Sequence, residues 1–157
     1  MTRRRIALLA AGGSAALLLA ALAFQYLGGM APCPLCIWQR WPHLAAVAAG
    51  AMALAVPGAL LPLLGAAAAL SSAGIGAYHT GVERRWWDGP QACAGASDIG
   101  ALTPQQLLDQ ILAAPVVRCD EVPWEMFGLS MATWNAIASL GLAGLWLWAA
   151  LRRPSAA

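Results

Sequence analysis

The sequence predicts an all-α membrane protein, a four-helix transmembrane bundle with one long extramembrane loop that carries a short amphipathic helix. Three observations predict it. The chain has 157 residues, of which 61% are hydrophobic and 10% charged, more apolar surface than a soluble domain of this size can hide. Residues 6–27 and 126–151 carry no charge, and across 41–82 the only side chains that titrate near neutrality are His43 and His79. A hydrocarbon core of roughly 30 Å takes about 20 helical residues, so the 41–82 run holds two crossings. The expected spans are about 6–27, 36–56, 63–82 and 126–151, in a single domain over 1–157. The loops joining them on one side are about 28–35 and 83–125.

Charge placement sets the orientation. The chain has no lysine; Arg3, Arg4, Arg5, Arg152 and Arg153 lie in the tails, while every acidic residue falls between Glu83 and Glu125. By arginine count alone the orientation rule has a narrow margin. Parity is the stronger argument, because four spans put both termini on one face and all four cysteines on the other. Cytoplasmic tails then leave the cysteines on the oxidising side. A cleaved signal peptide is the rival for the N-terminus, but its apolar region runs about 7–15 residues, shorter than 6–27.

The first span is rich in Ala, Leu and Gly, with Gly12, Gly13 and Ser14 as small positions that let another helix approach. Gln25 and Tyr26 suit the membrane boundary, and Gly28, Gly29 and Pro32 end the helix. Residues 41–56 alone are too short to cross, so the second span starts near Cys36. Pro42 predicts a kink or a restarted helix there, and Trp38 and Trp41 read as interfacial anchors. Pro57, Gly58 and Pro62 divide the long apolar run. The third span adds Gly65, Gly74 and Gly76 as contact positions and ends in His79-Thr80-Gly81-Val82-Glu83. His79 lies about one turn inside the boundary, where a polar ring needs a partner.

The polar stretch 83–125 is too small for a core of its own and reads as a loop packed on the membrane surface. Thr103 and Pro104 form a helix start, Leu107, Leu108, Ile111 and Leu112 gather on one side, and Pro115 stops the element. In the fourth span Trp134 stands early, and Trp146 and Trp148 stand late, as aromatic belts do.

The chemistry centres on Pro32-Cys33-Pro34-Leu35-Cys36-Ile37-Trp38-Gln39-Arg40. A Cys-x-x-Cys pair closes a small ring or shares a metal, and a thiolate is favoured where its second half begins a helix. Cys36 and Arg40 stand four apart, on one helical face, where the guanidinium favours a thiolate or an anionic ligand. Cys93 and Cys119 form a distant second pair in the other loop. Two structural disulfides are the plain alternative, but a bridge over so small a loop as 33–36 adds little stability and is exchangeable. A four-cysteine zinc site usually has two close pairs, and Cys93 and Cys119 are not one. A dithiol at a membrane surface passes electrons by mixed disulfides; with no haem or flavin signature, a lipid-soluble quinone is the natural acceptor. Arg40 and His79 are placed by topology to meet its two oxygens.

The 32–40 motif between spans one and two, the second cysteine pair in the long loop and the 79–83 stretch resemble the DsbB family of bacterial inner membranes. The resemblance extends from about residue 6 to 151. It implies a thiol:quinone oxidoreductase, with ubiquinone or menaquinone as cofactor, that reoxidises a DsbA-like periplasmic thioredoxin-fold protein. It implies that Cys93 is attacked by the partner, that Cys119 exchanges with Cys33, and that Cys36 is the thiolate beside the quinone. Arg40 and His79 become the quinone-binding residues, the long loop becomes periplasmic and the termini cytoplasmic. No metal and no nucleic acid is expected. Two other readings stay open: a structural membrane protein with stapled loops, and an enzyme like vitamin K epoxide reductase. The latter is expected to carry its active pair near the last spans, and span four has no cysteine.

Overall fold

A computed structural model describes residues 1–90, 93, 103–106, 108 and 117–152. Four long helices dominate it: α1 (Arg3–Tyr26), α2 (Pro34–Met52), α3 (Leu60–Glu83) and α4 (Met131–Leu151). Helix α3 packs against α2 and α4, and α1 against α2 and α4. Three of them, α1, α3 and α4, are long and apolar enough to cross a membrane, so the chain is a multi-pass, all-α membrane protein. Helix α2 differs because Gln39, Arg40 and His43 sit within it.

Each boundary has a local cause. Thr2 caps α1 by accepting from the Arg5 N–H. The helix closes with the N–H groups of Leu27 and Gly28 on the Ala23 carbonyl, and Gly29 then takes a positive φ of 66° to turn the chain. Cys33 is itself the N-cap of α2, its sulfur accepting from the Cys36 N–H at 3.2 Å, with Pro34 in the first helical position. Of the two expectations at Pro42, a kink or a restarted helix, the restart is not what forms: α2 runs as one helix from Pro34 to Met52 with Pro42 inside it. A connection at 53–59 leads into α3, with Gly58 at φ 134°.

Helix α4 starts later than the expected 126. Glu125–Met126 pairs antiparallel with Leu129–Ser130 as strands β1 and β2, turned by Phe127 and Gly128, both at positive φ. Ser130 then caps α4 through the Thr133 N–H. At the opposite end, Arg3 Nε donates to the Ala149 carbonyl at 3.1 Å and Nη2 to that of Ala150 at 3.3 Å. This fastens the start of α1 to the end of α4.

The apolar core is made of small residues around one large ring. Ile6, Ala7, Ala10, Ala46, Ala49, Ala66, Ala69, Ala143 and Ala149 surround Trp146, which is 0% exposed. Trp146 is therefore a core residue and not part of an aromatic belt, whereas Trp148 is exposed. The ring fits because Gly65 faces it: a Cβ there would lie 2.5 Å from the indole. Gly13 and Gly76 likewise touch α4, while Gly12 and Gly74 have nothing within contact range. In the long loop, Thr103 Oγ1 accepts from the Gln106 N–H and Gln106 Oε1 from the Thr103 N–H, a reciprocal cap. Residues 104–106 and 108 are helical; Leu107, Ile111, Leu112 and Pro115 lie outside the described residues.

Candidate functional site

Because Cys33 is the cap and Cys36 the third residue of α2, the helix starts at the dithiol, and its first-turn N–H groups face the sulfurs. The two sulfurs are 2.8 Å apart, neither in a disulfide. Cys33 is buried, and both the neighbouring Cys36 sulfur and its burial push the Cys33 thiol well above the usual thiol range. Cys36 is the more open of the two.

Cys93 and Cys119 are joined by a disulfide with their Cα atoms 5.2 Å apart. That bridge does not stand apart from the first pair. Cys33, Leu35, Val82, Cys93 and Cys119 form one buried cluster, and the Cys33 sulfur, a His79 ring nitrogen and the Cys119 sulfur all lie within 4.8 Å of one another. The end of α3 shapes this meeting point. Arg85, at φ 57°, ends the helix and sends the chain back, so that Trp87 stacks on Tyr78 and donates Nε1–H to the Tyr78 carbonyl at 2.9 Å. Trp87 lies directly on Gly81, where any Cβ would collide with the indole. The glycine in the 79–83 stretch thus admits the tryptophan that folds the long loop toward Cys93.

Beside the dithiol, α1, α2, α4, the end of α3 and the segment leading into α4 line an open-sided cavity of about 540 Å³. Leu17, Leu18, Ala21 and Phe24 of α1 give it an apolar wall, while Cys36, Arg40, His43 and His79 supply polar groups. The continuity of α2 through Pro42 is what puts Cys36, Arg40 and His43 on one face. Arg40 Nη1 donates to Gln25 Oε1 of α1 at 2.7 Å, and its Nε is buried with no hydrogen-bond partner among the described residues.

All six residues singled out in the sequence therefore fall around one locus: Cys33, Cys36, Cys93 and Cys119 as two adjoining couples, Arg40 and His79 on the cavity. The position of His79 differs in one respect from a free donor to the cavity. Its Nδ1 is 3.0 Å from Gln39 Nε2, and its Nε2 is 3.5 Å from the Cys33 sulfur and 3.9 Å from Glu83 Oε1. Protein groups face both nitrogens.

Sequence reasoning passed over the polar network behind the dithiol. Gln39 donates to the Leu35 carbonyl at 3.1 Å and accepts from Asn135 Nδ2 at 2.7 Å. Asn135 Oδ1 lies 3.0 Å from His43 Nε2, which also meets Ser72 at 3.0 Å and Ser139 at 3.3 Å. Glu83 accepts from the Ser130 hydroxyl. The available signal was the presence of Gln39, His43, Ser72, Asn135 and Ser139 inside the expected spans, since polar groups at membrane depth are costly without partners.

Known proteins are similar to this chain over most of its length. The family model for disulfide bond formation protein DsbB matches residues 3–149. The chain is 37% identical over 139 residues to disulfide bond formation protein B of Methylococcus capsulatus, covering 82% of each chain. It is 30% identical over 151 residues to that of Stutzerimonas stutzeri, covering 90% of each. Against that of Saccharophagus degradans it is 33% identical over 160 residues, 96% of this chain and 94% of the relative.

Proposed function

The chain belongs to the DsbB family, and from that premise we propose that this disulfide-forming membrane oxidoreductase reoxidises a DsbA-like periplasmic dithiol protein and passes the electrons to a quinone. The observation that carries the reading is the approach of the Cys33 and Cys119 sulfurs, with Cys36 and Arg40 on the adjoining cavity.

The residues present fit a quinone headgroup. The cavity is apolar along α1, and the buried Arg40 Nε lacks a partner among the described residues, which suits a flat ring bearing an acceptor oxygen. Arg40 would hold that oxygen, and His79 would meet the ring from the side of the sulfurs. When bound, ubiquinone or menaquinone supplies a sink for two electrons and two protons.

The steps on this chain are thiol–disulfide exchanges. The partner's thiolate attacks the Cys93 sulfur, the Cys93–Cys119 bond breaks, and Cys119 leaves as a thiolate. The partner's second thiolate then attacks its own sulfur in the mixed disulfide and releases Cys93, so the partner departs oxidised. With Cys33 and Cys36 joined, the Cys119 thiolate attacks Cys33 and Cys36 leaves as a thiolate. The Cys93 thiolate then attacks Cys119, restoring Cys93–Cys119 and freeing Cys33. Two electrons have moved from the partner to the pair beside the cavity. Cys36 is the leaving sulfur in this scheme because it occupies the first turn of α2, where negative charge is favoured.

The topology that goes with the reading is a four-helix transmembrane bundle in a bacterial inner membrane, with cytoplasmic termini and both cysteine loops periplasmic. The test is an assay in detergent with a reduced DsbA-like protein and ubiquinone or menaquinone. The expected outcome is partner oxidation with stoichiometric quinone reduction, lost in Cys36→Ser; full quinone reduction by that variant overturns the reading. Labelling of single-cysteine variants from outside checks the orientation, and loops found on opposite faces overturn it as well.

A further inference from the structure

We propose that Gln39 is a positioning residue that sets the direction of the hydrogen bonds behind the dithiol, so that His79 presents an N–H to the Cys33 sulfur and negative charge collects on Cys36. The proposal deepens the proposed function and rests on it only for the use made of the thiolate.

The direction follows from one unambiguous acceptor. The Leu35 main-chain carbonyl can only accept, so the Gln39 atom 3.1 Å from it is the amide nitrogen. The same nitrogen lies 3.0 Å from His79 Nδ1, so Nδ1 accepts and the ring proton of a neutral His79 resides on Nε2. That nitrogen faces the Cys33 sulfur at 3.5 Å and Glu83 Oε1 at 3.9 Å, both able to accept. The Cys33 thiol, receiving this bond, is free to donate its own proton toward Cys36 at 2.8 Å. The chain of donors therefore runs from Gln39 through His79 and Cys33 and ends on Cys36, the more open of the two sulfurs that line the cavity.

The other end of Gln39 is set by the same constraint. With its nitrogen turned to Leu35, its oxygen accepts from Asn135 Nδ2 at 2.7 Å. Asn135 Oδ1 then has to accept from His43 Nε2, 3.0 Å away. Both histidines of the chain are thereby held with the proton on Nε2, and a single amide on α2 governs imidazoles on α2 and α3. Replacing that amide by a carboxylate removes the donor to His79 but keeps the acceptor for Asn135. In Gln39→Glu the His79 proton moves to Nδ1, a bare Nε2 faces Cys33 and competes for its proton, and His43 stays as it was.

The chain has two histidines, so nitrogen NMR of the full-length protein in detergent micelles, labelled at histidine, reads each ring directly. Single-histidine variants provide the assignment. The expected result is that both rings of the unaltered protein carry the proton on Nε2, and that Gln39→Glu moves it to Nδ1 in His79 alone. In the same variant, alkylation of Cys36 by iodoacetamide at neutral pH slows by about ten-fold, the change expected on losing one charge-assisted hydrogen bond to the thiolate system. A His79 or His43 ring protonated at Nδ1 in the unaltered protein overturns the proposal. An unchanged tautomer or an unchanged Cys36 rate in Gln39→Glu overturns it too. If the tautomers are as stated and the protein reduces no quinone, it is the proposed function that falls.

Discussion

Gln25 Oε1 on α1 accepts a hydrogen bond at 2.7 Å from Nη1 of Arg40 on α2, a residue that lines the cavity beside the dithiol. The contact holds a long, flexible cation in one orientation and leaves its Nε unpartnered among the described residues. Gln25→Ala removes this support while leaving the sulfurs untouched. A hydrogen bond to a charged group contributes about 1.5–3 kcal/mol. The expected outcome is a rise of roughly ten-fold or more in KM for quinone, with no change in the rate of partner oxidation in the first turnover. An equal loss in both would show that Gln25 acts through folding.

The two thiols of the motif differ in exposure, Cys33 being buried and Cys36 only half-buried. Cys33 is 3% exposed, and the adjacent Cys36 sulfur together with burial raises its thiol, so its proton is retained as pH climbs through the range where an ordinary thiol ionises, about 8.5. Alkylation followed by peptide mass spectrometry between pH 7 and 9 is expected to modify Cys36 first throughout. Cys33 modification that overtakes Cys36 as pH rises would contradict this.

Cys33 and Cys119 come within 4.8 Å at the sulfur atoms although they lie on different loops. In a Cys36→Ser, Cys93→Ser double variant these two are the remaining thiols. Mild oxidation is expected to join them within one chain, detected as a cross-linked peptide pair under non-reducing conditions. Dimers cross-linked between chains instead would mean that the loops do not meet.

Gly65 lies against the fully buried ring of Trp146, and a Cβ would stand 2.5 Å from it. An indole enclosed by helix surfaces cannot yield as a flexible side chain can. Gly65→Ala is therefore expected to destabilise by about 1–3 kcal/mol through overpacking, seen as a lower Tm in detergent. Gly74→Ala, at a position with nothing within contact range, serves as the control and leaves Tm unchanged or higher.

The amino-acid sequence by itself determined the class and the reagents: charge-free runs of membrane length, a Cys-x-x-Cys pair with Arg40 on its helical face, and a distant pair of cysteines. These are legible because hydrophobic length and i, i+4 spacing are local properties of the chain. It misplaced Trp146 on the membrane boundary and started the fourth helix too early, because burial in a bundle and a two-residue hairpin depend on what packs opposite. Only the tertiary structure decided that Cys119 reaches Cys33, that Gln25 holds Arg40, and that Gln39 stands between the two histidines. The physical reason is that a buried hydrogen bond or a sulfur contact joins residues far apart in the chain, and which ones meet is set by how four helices share a single small-residue core.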